Sequence, residues 1–177
     1  MVKFCFSVLW VCVILANVPC TFAKITHIHL LPGGVISEEL IKSNLINAYR
    51  RFLSSRSGTK IALLLDGELV IPLQNPNDSI IHHINDLDLK RPTANCVNWH
   101  IDKMVPESDN YIVTDLNPCN GTQVVSEAKH FAKAHERTSS IVTIGMGNKI
   151  HSDWLKQVCG PCGGTFGCMR GWNWFRV

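Results

Sequence analysis

The sequence predicts an α/β fold: a doubly wound, mainly parallel sheet with helices on both faces and one antiparallel edge hairpin. Three observations carry this. Strand-like runs alternate with segments of helical period along residues 24–177. The inner runs, such as Tyr111–Thr114 and Ser140–Ile144, are nearly continuous in apolar character, which marks strands covered on both faces. Asp66-Gly67 joins two further runs, and that dipeptide suits the positive-φ positions of a tight hairpin turn.

Ile25–Leu31 reads as the first strand, stopped by Pro32-Gly33-Gly34. Ser37 can cap a helix whose first turn places Glu38 and Glu39 at the positive end of the dipole. Its apolar stripe is Ile41, Leu45, Tyr49 and Phe52 or Leu53, and Gly58 ends it. Lys60–Leu65 and Glu68–Ile71 flank the hairpin turn. A short helix runs from Ser79 to about Leu87 with Ile80, Ile84 and Leu87 facing inward. A second helix is expected after Pro92-Thr93, because Ala94, Val97, Ile101 and Met104 recur at helical spacing. After Tyr111–Thr114 and Asp115, Gln123–Arg137 is a helix through Val124/Val125, Ala128, Phe131/Ala132 and His135. Ser140–Ile144 closes in Gly145-Met146-Gly147, and Ser152 caps a helix holding Trp154, Leu155 and Val158.

Met1–Ala23 has one positive residue (Lys3), an apolar run from Phe4 to Val18, and small residues Thr21 and Ala23 before residue 24. This is the pattern of a cleaved secretory signal peptide, and the run is short for a membrane span. Residues 24–177 then form a single domain, secreted and without a spanning segment. Cleavage removes Cys5, Cys12 and Cys20 and leaves Cys96, Cys119, Cys159, Cys162 and Cys168 in an oxidising compartment. Cys96 and Cys119 either pair with each other or leave one thiol free, and Cys168 is expected to pair with Cys159 or Cys162. Asn77-Asp78-Ser79 and Asn120-Gly121-Thr122 are acceptable glycosylation sequons, whereas Asn75 and Asn117 precede Pro and read only as turns. A net charge of +3 without a basic run longer than Arg50-Arg51 excludes a nucleic-acid partner, and 46% hydrophobic residues exclude a disordered chain.

In a doubly wound sheet, ligands bind beyond the carboxyl ends of the strands. There the chain carries Ile112-Val-Thr-Asp-Leu-Asn-Pro118, Ile144-Gly-Met-Gly-Asn-Lys-Ile150 with Trp154-Leu-Lys-Gln157, and Pro92-Thr-Ala-Asn95. In these residues and their order it resembles a von Willebrand factor type A domain. The closing Cys159–Cys168 segment, running into Trp172-Asn173-Trp174, looks most like the A domains of apicomplexan thrombospondin-related adhesive and micronemal proteins. The resemblance implies a metal-ion-dependent adhesion site built from Asp-x-Ser-x-Ser, a Thr and a second Asp. Thr93 and Asp115 match the last two, but Pro32, Gly34 and Ile36 stand where Asp, Ser and Ser should be.

One carboxylate and one hydroxyl would hold Mg²⁺ or Ca²⁺ only weakly, so the expectation is a degenerate site with no cofactor. Asp66-Gly67-Glu68 cannot replace the metal loop, since too few residues separate it from Thr93 for the intervening helix and hairpin. Without a metal, Thr93 would cap a helix and Asp115 would serve a turn or strand end. The family's last helix has no residues left to form it. The expectation is a domain that does without it, or a shortened form whose exposed apolar C-terminal face (Trp172, Trp174, Phe175) favours a partner or a dimer.

The function implied is a secreted, non-enzymatic adhesion module for an extracellular protein or glycan. One alternative is a thiol-disulfide oxidoreductase using Cys159-Gly-Pro-Cys162, although that motif follows a helix instead of opening one. Another is a divergent paralogue without adhesive activity. His27/His29 share a strand face and His82-His83 adjoin on a helix, but no third and fourth ligand at zinc spacing accompanies them.

Overall fold

A computed structural model describes residues 25–55, 59–135, 138–159, 166–170 and 173–176. Residues 1–23, read above as a signal peptide, and Cys162 lie outside the described residues, as do the side chains of Cys168, Trp172, Trp174 and Phe175.

The chain runs β1 (Ile25–Leu31), α1 (Glu38–Ser55), β2 (Lys60–Leu65), β3 (Glu68–Gln74), α2 (Asp78–Asp86), a 3-10 turn (Ile101–Lys103) and β4 (Asp109–Thr114). It continues through α3 (Gly121–His135), β5 (Ser140–Met146), α4 (Ser152–Cys159), β6 (Phe166–Arg170) and β7 (Asn173–Arg176). The strands form one sheet of order β3-β2-β1-β4-β5-β6-β7. Strands β2, β1, β4, β5 and β6 are mutually parallel, with β3 and β7 antiparallel at the two edges. The α/β class and the β2–β3 hairpin are therefore as predicted, and the β6–β7 hairpin adds a second antiparallel edge.

Successive residues along each inner strand feed opposite cores, as the pleat requires. Leu30, Leu63, Val113 and Ile144 pack under Ile41, Leu45 and Tyr49 of α1 and Ile80 and Ile84 of α2. Leu31, Ile112 and Ile141 pack under Val124, Val125 and Ala128 of α3 and Leu155 and Val158 of α4. Asp66 and Gly67 both have positive φ, which their small or hydrogen-bonding side chains tolerate in the turn. β3 continues past Ile71 through Pro72, which an edge strand accepts because the missing N–H faces outward. That edge exposes Leu69, Val70 and Leu73.

The helix predicted over Ala94–Met104 does not form. Ala94 N–H bonds to Gly33 O, Val97 makes a parallel bridge with Pro118, and His100 is left-handed (φ 35°). Each of these takes the backbone out of an i to i−4 ladder, and only the Ile101–Lys103 turn remains. The apolar spacing reported burial without reporting helix: Trp99, Ile101 and Met104 cover the second core from an irregular segment. Smaller shifts have local causes. Asn77 is the N-cap of α2, its carboxamide accepting from Ser79 N–H, so the helix starts at Asp78. α3 starts at Gly121, where a Cβ would lie 2.2 Å from the Trp154 ring. His82 and His83 are exposed on α2.

Candidate functional site

The loops following β1, β4 and β5 meet at the carboxyl edge of the sheet, where they are joined by the irregular segment 88–100. Asp115 stands at their centre with 0% exposure. Its Oδ1 accepts from Gly33 N–H at 2.5 Å, and its Oδ2 accepts from Val35 N–H at 2.9 Å and Ile36 N–H at 3.0 Å. Three main-chain donors thus occupy both carboxylate oxygens from the β1–α1 loop, a concave anion-binding arrangement built from successive amides.

Glycine makes that approach possible. A Cβ on Gly33 would lie 2.3 Å from Leu116 Cδ1 and 2.9 Å from Asp115 Oδ1. Gly34 has φ +74°, and a Cβ there would lie 2.6 Å from Arg91 O. Side chains at either position would hold the loop off the carboxylate or off the 88–100 segment.

The other loops are tied in by direct contacts. Thr93, exposed, donates its hydroxyl to Gly34 O at 3.2 Å; there is no helix for it to cap. Ala94 N–H bonds to Gly33 O. A disulfide joins Cys96 to Cys119, and beside it Val97 N–H bonds to Asn117 O and Cys119 N–H to Val97 O. Trp99, 1% exposed, donates Nε1–H to Leu116 O at 3.3 Å. Asn117 does more than turn the chain: its Oδ1 accepts from His151 N–H at 2.8 Å and fastens the β5–α4 loop. No spacing in the sequence marked that role, whereas the Pro-Gly-Gly stop after β1 was a readable sign of a loop needing close backbone approach.

This donor set does not suit a hard divalent cation, which wants several free oxygens in near-octahedral array. Pro32, Gly34 and Ile36 have no side-chain oxygen, the Thr93 hydroxyl proton is given to Gly34 O, and both Asp115 oxygens face N–H groups. Elsewhere among the described residues, no cluster of three or more His, Cys, Asp or Glu has metal-binding geometry.

The two β1 histidines lie away from this edge, inside the second face. His27 Nδ1 is 3.2 Å from Ser108 Oγ, and His29 Nε2 is 3.3 Å from Asn110 Oδ1. His29 is 1% exposed and its Nδ1 has no hydrogen-bond partner. Burial lowers both pKa values, that of His29 to about 4, with the neighbouring His27 and His100 adding to the effect. Both are neutral core residues at pH 7.

Cys159 ends α4, has a free thiol and is 1% exposed. Burial raises its pKa. A redox nucleophile needs the opposite: exposure and a helix N-terminus that stabilises thiolate. The predicted partnership with Cys168 is absent at Cys159, and Cys162 falls outside the described residues.

No family model and no curated protein sequence matches the chain. Solved structures do match. A von Willebrand factor type A protein from Catenulispora acidiphila superposes with TM-score 0.56 at 12% identity, over 83% of this chain and 38% of that one. Proximal thread matrix protein 1 from the mussel byssus, with a zinc-occupied MIDAS motif, gives 0.60 at 11% identity over 81% and 41%. The ArnB paralog VWA2 from Sulfolobus acidocaldarius gives 0.55 at 15% identity over 83% and 41%. The chain spans about two fifths of these proteins' lengths. At such identities the likeness is one of fold: the sheet, its helices and the loops at its carboxyl edge have the architecture of a von Willebrand factor type A domain.

Proposed function

We propose that the chain is a secreted, non-enzymatic adhesion module that binds an extracellular protein or glycan through the carboxyl-edge loops without a divalent cation. The A-domain fold supports an interaction module in general. The metal-free reading rests on one observation, the saturation of Asp115 by the N–H groups of Gly33, Val35 and Ile36. Secretion, and kinship with the apicomplexan adhesive A domains, are carried by the sequence alone: the N-terminal leader pattern and the motif order.

In a metal-dependent site, the ion offers an open coordination position to an acidic group of the partner. Here main-chain N–H groups occupy both oxygens of Asp115, so the loops offer a partner no such position. Exposed Pro92, Thr93, Ala94 and Asn95 lie on one side and Asn148, Lys149 and His151 on the other. Recognition would rest on hydrogen bonding and shape at this rim.

Titration of the secreted protein with Mg²⁺, Ca²⁺, Mn²⁺ and Zn²⁺ by calorimetry is the direct test. The expected result is no stoichiometric heat and an unchanged unfolding temperature in chelator. Saturable one-to-one binding abolished by Asp115→Ala would overturn the metal-free reading.

A further inference from the structure

Two open concave surfaces lie beside the carboxyl-edge loops, and both include Asn120. A cleft of about 410 Å³ opens between the 98–102 segment and the start of α3, with Asn98 and Asp102 on one wall and Gln123 and Glu127 on the other. A shallower shelf of about 820 Å³ continues past Thr122 and Ser126. Both are open to solvent along one side. The lining mixes Trp99 and Val124 with carboxamides, carboxylates and hydroxyls that set donors and acceptors at close spacing. Gln123 Nε2 donates to Glu127 Oε1 at 2.8 Å, which joins two of the lining side chains. Closely spaced acceptors and donors suit the hydroxyls and acetamido group of a neutral amino sugar.

Asn120 sits where the two surfaces join. It is exposed, its carbonyl accepts Val124 N–H to open α3, and its side chain makes no hydrogen bond among the described residues. Gly121 is buried against Trp154, so nothing at that position stands between Asn120 and the groove, and Thr122 is exposed.

We propose that Asn120 bears an N-linked glycan whose first N-acetylglucosamine residues lie in this groove along the first two turns of α3. The proposal rests on the chain entering the secretory pathway. In the transfer, Asn120 Nδ2 bonds to the anomeric carbon of a lipid-pyrophosphate-linked oligosaccharide. The anomeric carbon–oxygen bond breaks, the lipid pyrophosphate leaves, and Nδ2 gives up one proton. No oxidation is involved. Transfer acts on the nascent chain, so the sequon decides attachment and the folded groove decides where the sugar rests.

The test expresses the full chain in eukaryotic secretory cells, once with its own leader and once behind an added cleavable leader. Peptide mapping is expected to show a glycan at Asn120, lost in Asn120→Gln and Thr122→Ala and kept in Thr122→Ser. Glycan found only with the added leader would remove the secretion reading and leave the site standing. An unmodified Asn120 in chain that has traversed the pathway would overturn the site.

For the resting place, trimming to a single N-acetylglucosamine should keep the unfolding temperature about 2–4 °C above that of Asn120→Gln. Gln123→Ala and Glu127→Ala should erase that difference without changing occupancy. An occupied Asn120 with no such difference would overturn the groove as the sugar's bed. So would saturable binding of free chitobiose by the Asn120→Gln protein, since the groove would then be a receptor for a foreign saccharide.

Discussion

Asp115→Asn in the presence of chelator separates a main-chain anchor from an empty metal site by the sign of its effect. In the structure, the carboxylate accepts three N–H bonds, one to buried Gly33 and two to half-buried Val35 and Ile36. A hydrogen bond to a charged group contributes about 1.5–3 kcal/mol, and a buried donor left without an acceptor costs about 1–3 kcal/mol. Asparagine can still accept from Gly33 through Oδ1, but its NH₂ then faces the N–H groups of Val35 and Ile36. Water reaches those two in part, so the net loss is about 2–3 kcal/mol. In a domain of this size that lowers the unfolding temperature by roughly 4–12 °C. If Asp115 were instead an open cation ligand, the same change without metal would fall within about 0.5 kcal/mol of wild type, the range of ordinary surface substitutions. Urea unfolding of both proteins in EDTA reads the difference. A variant as stable as wild type, or a wild type that gains stability on adding Mg²⁺ as mass action requires of a bound ligand, would refute the anchor.

Acid should weaken the fold through His29. Its pKa is about 4 in the folded chain against 6.5 when unfolded, so between those values the unfolded chain binds a proton the native state does not. The stabilisation is complete above pH 6.5, falls as pH drops toward 4, and totals about 3 kcal/mol; His29→Leu should flatten urea midpoints measured across that window. Removing the Cys96–Cys119 staple by the double serine change frees a sequence separation of 23 residues and should cost about 3 kcal/mol, read as a lower urea midpoint. Gly34→Ala should cost about 2 kcal/mol or more, because φ +74° and the carbonyl of Arg91 at 2.6 Å both oppose a Cβ. A thermal melt equal to wild type would show that the loop relaxes away from segment 88–100.

The parts legible in the sequence were those governed by local pattern. Apolar runs, the Asp66-Gly67 turn and the 3.6-residue stripes of α1, α3 and α4 act within a few residues, and the structure has each of them. Segment 94–104 misled because its spacing is helical while its partners are distant: Gly33 is about sixty residues away, and Asn117 and Pro118 lie beyond β4. Tertiary bonds to those groups outcompete a helix that also contains Asn95 and Asn98, weak helix formers. The site was half legible. Matching Thr93 and Asp115 to a known pattern located the carboxyl-edge loops, but side-chain identities are silent about main-chain donors. The amides of Gly33, Val35 and Ile36 that meet Asp115 could emerge only from the folded loop.

The main-chain contacts around Asp115 and the Cys96–Cys119 bond are physically connected. A cation at such an edge would do two jobs: neutralise a buried carboxylate and hold separate loops together. Pro32, Gly34 and Ile36 offer no side-chain oxygen to hold an ion, and a buried Asp115 with nothing to compensate it would cost several kcal/mol. Two glycines let the backbone close and take over the first job. The second job passes to the disulfide and the Val97–Pro118 bridge, with Asn117 holding the β5–α4 loop. Once both jobs are done by the chain itself, the surface above Asp115 has no vacant ligand position and no concentrated positive charge. On the proposed binding function, affinity would come from many small contacts at the rim, and changes of chelator or divalent concentration should leave it where it was.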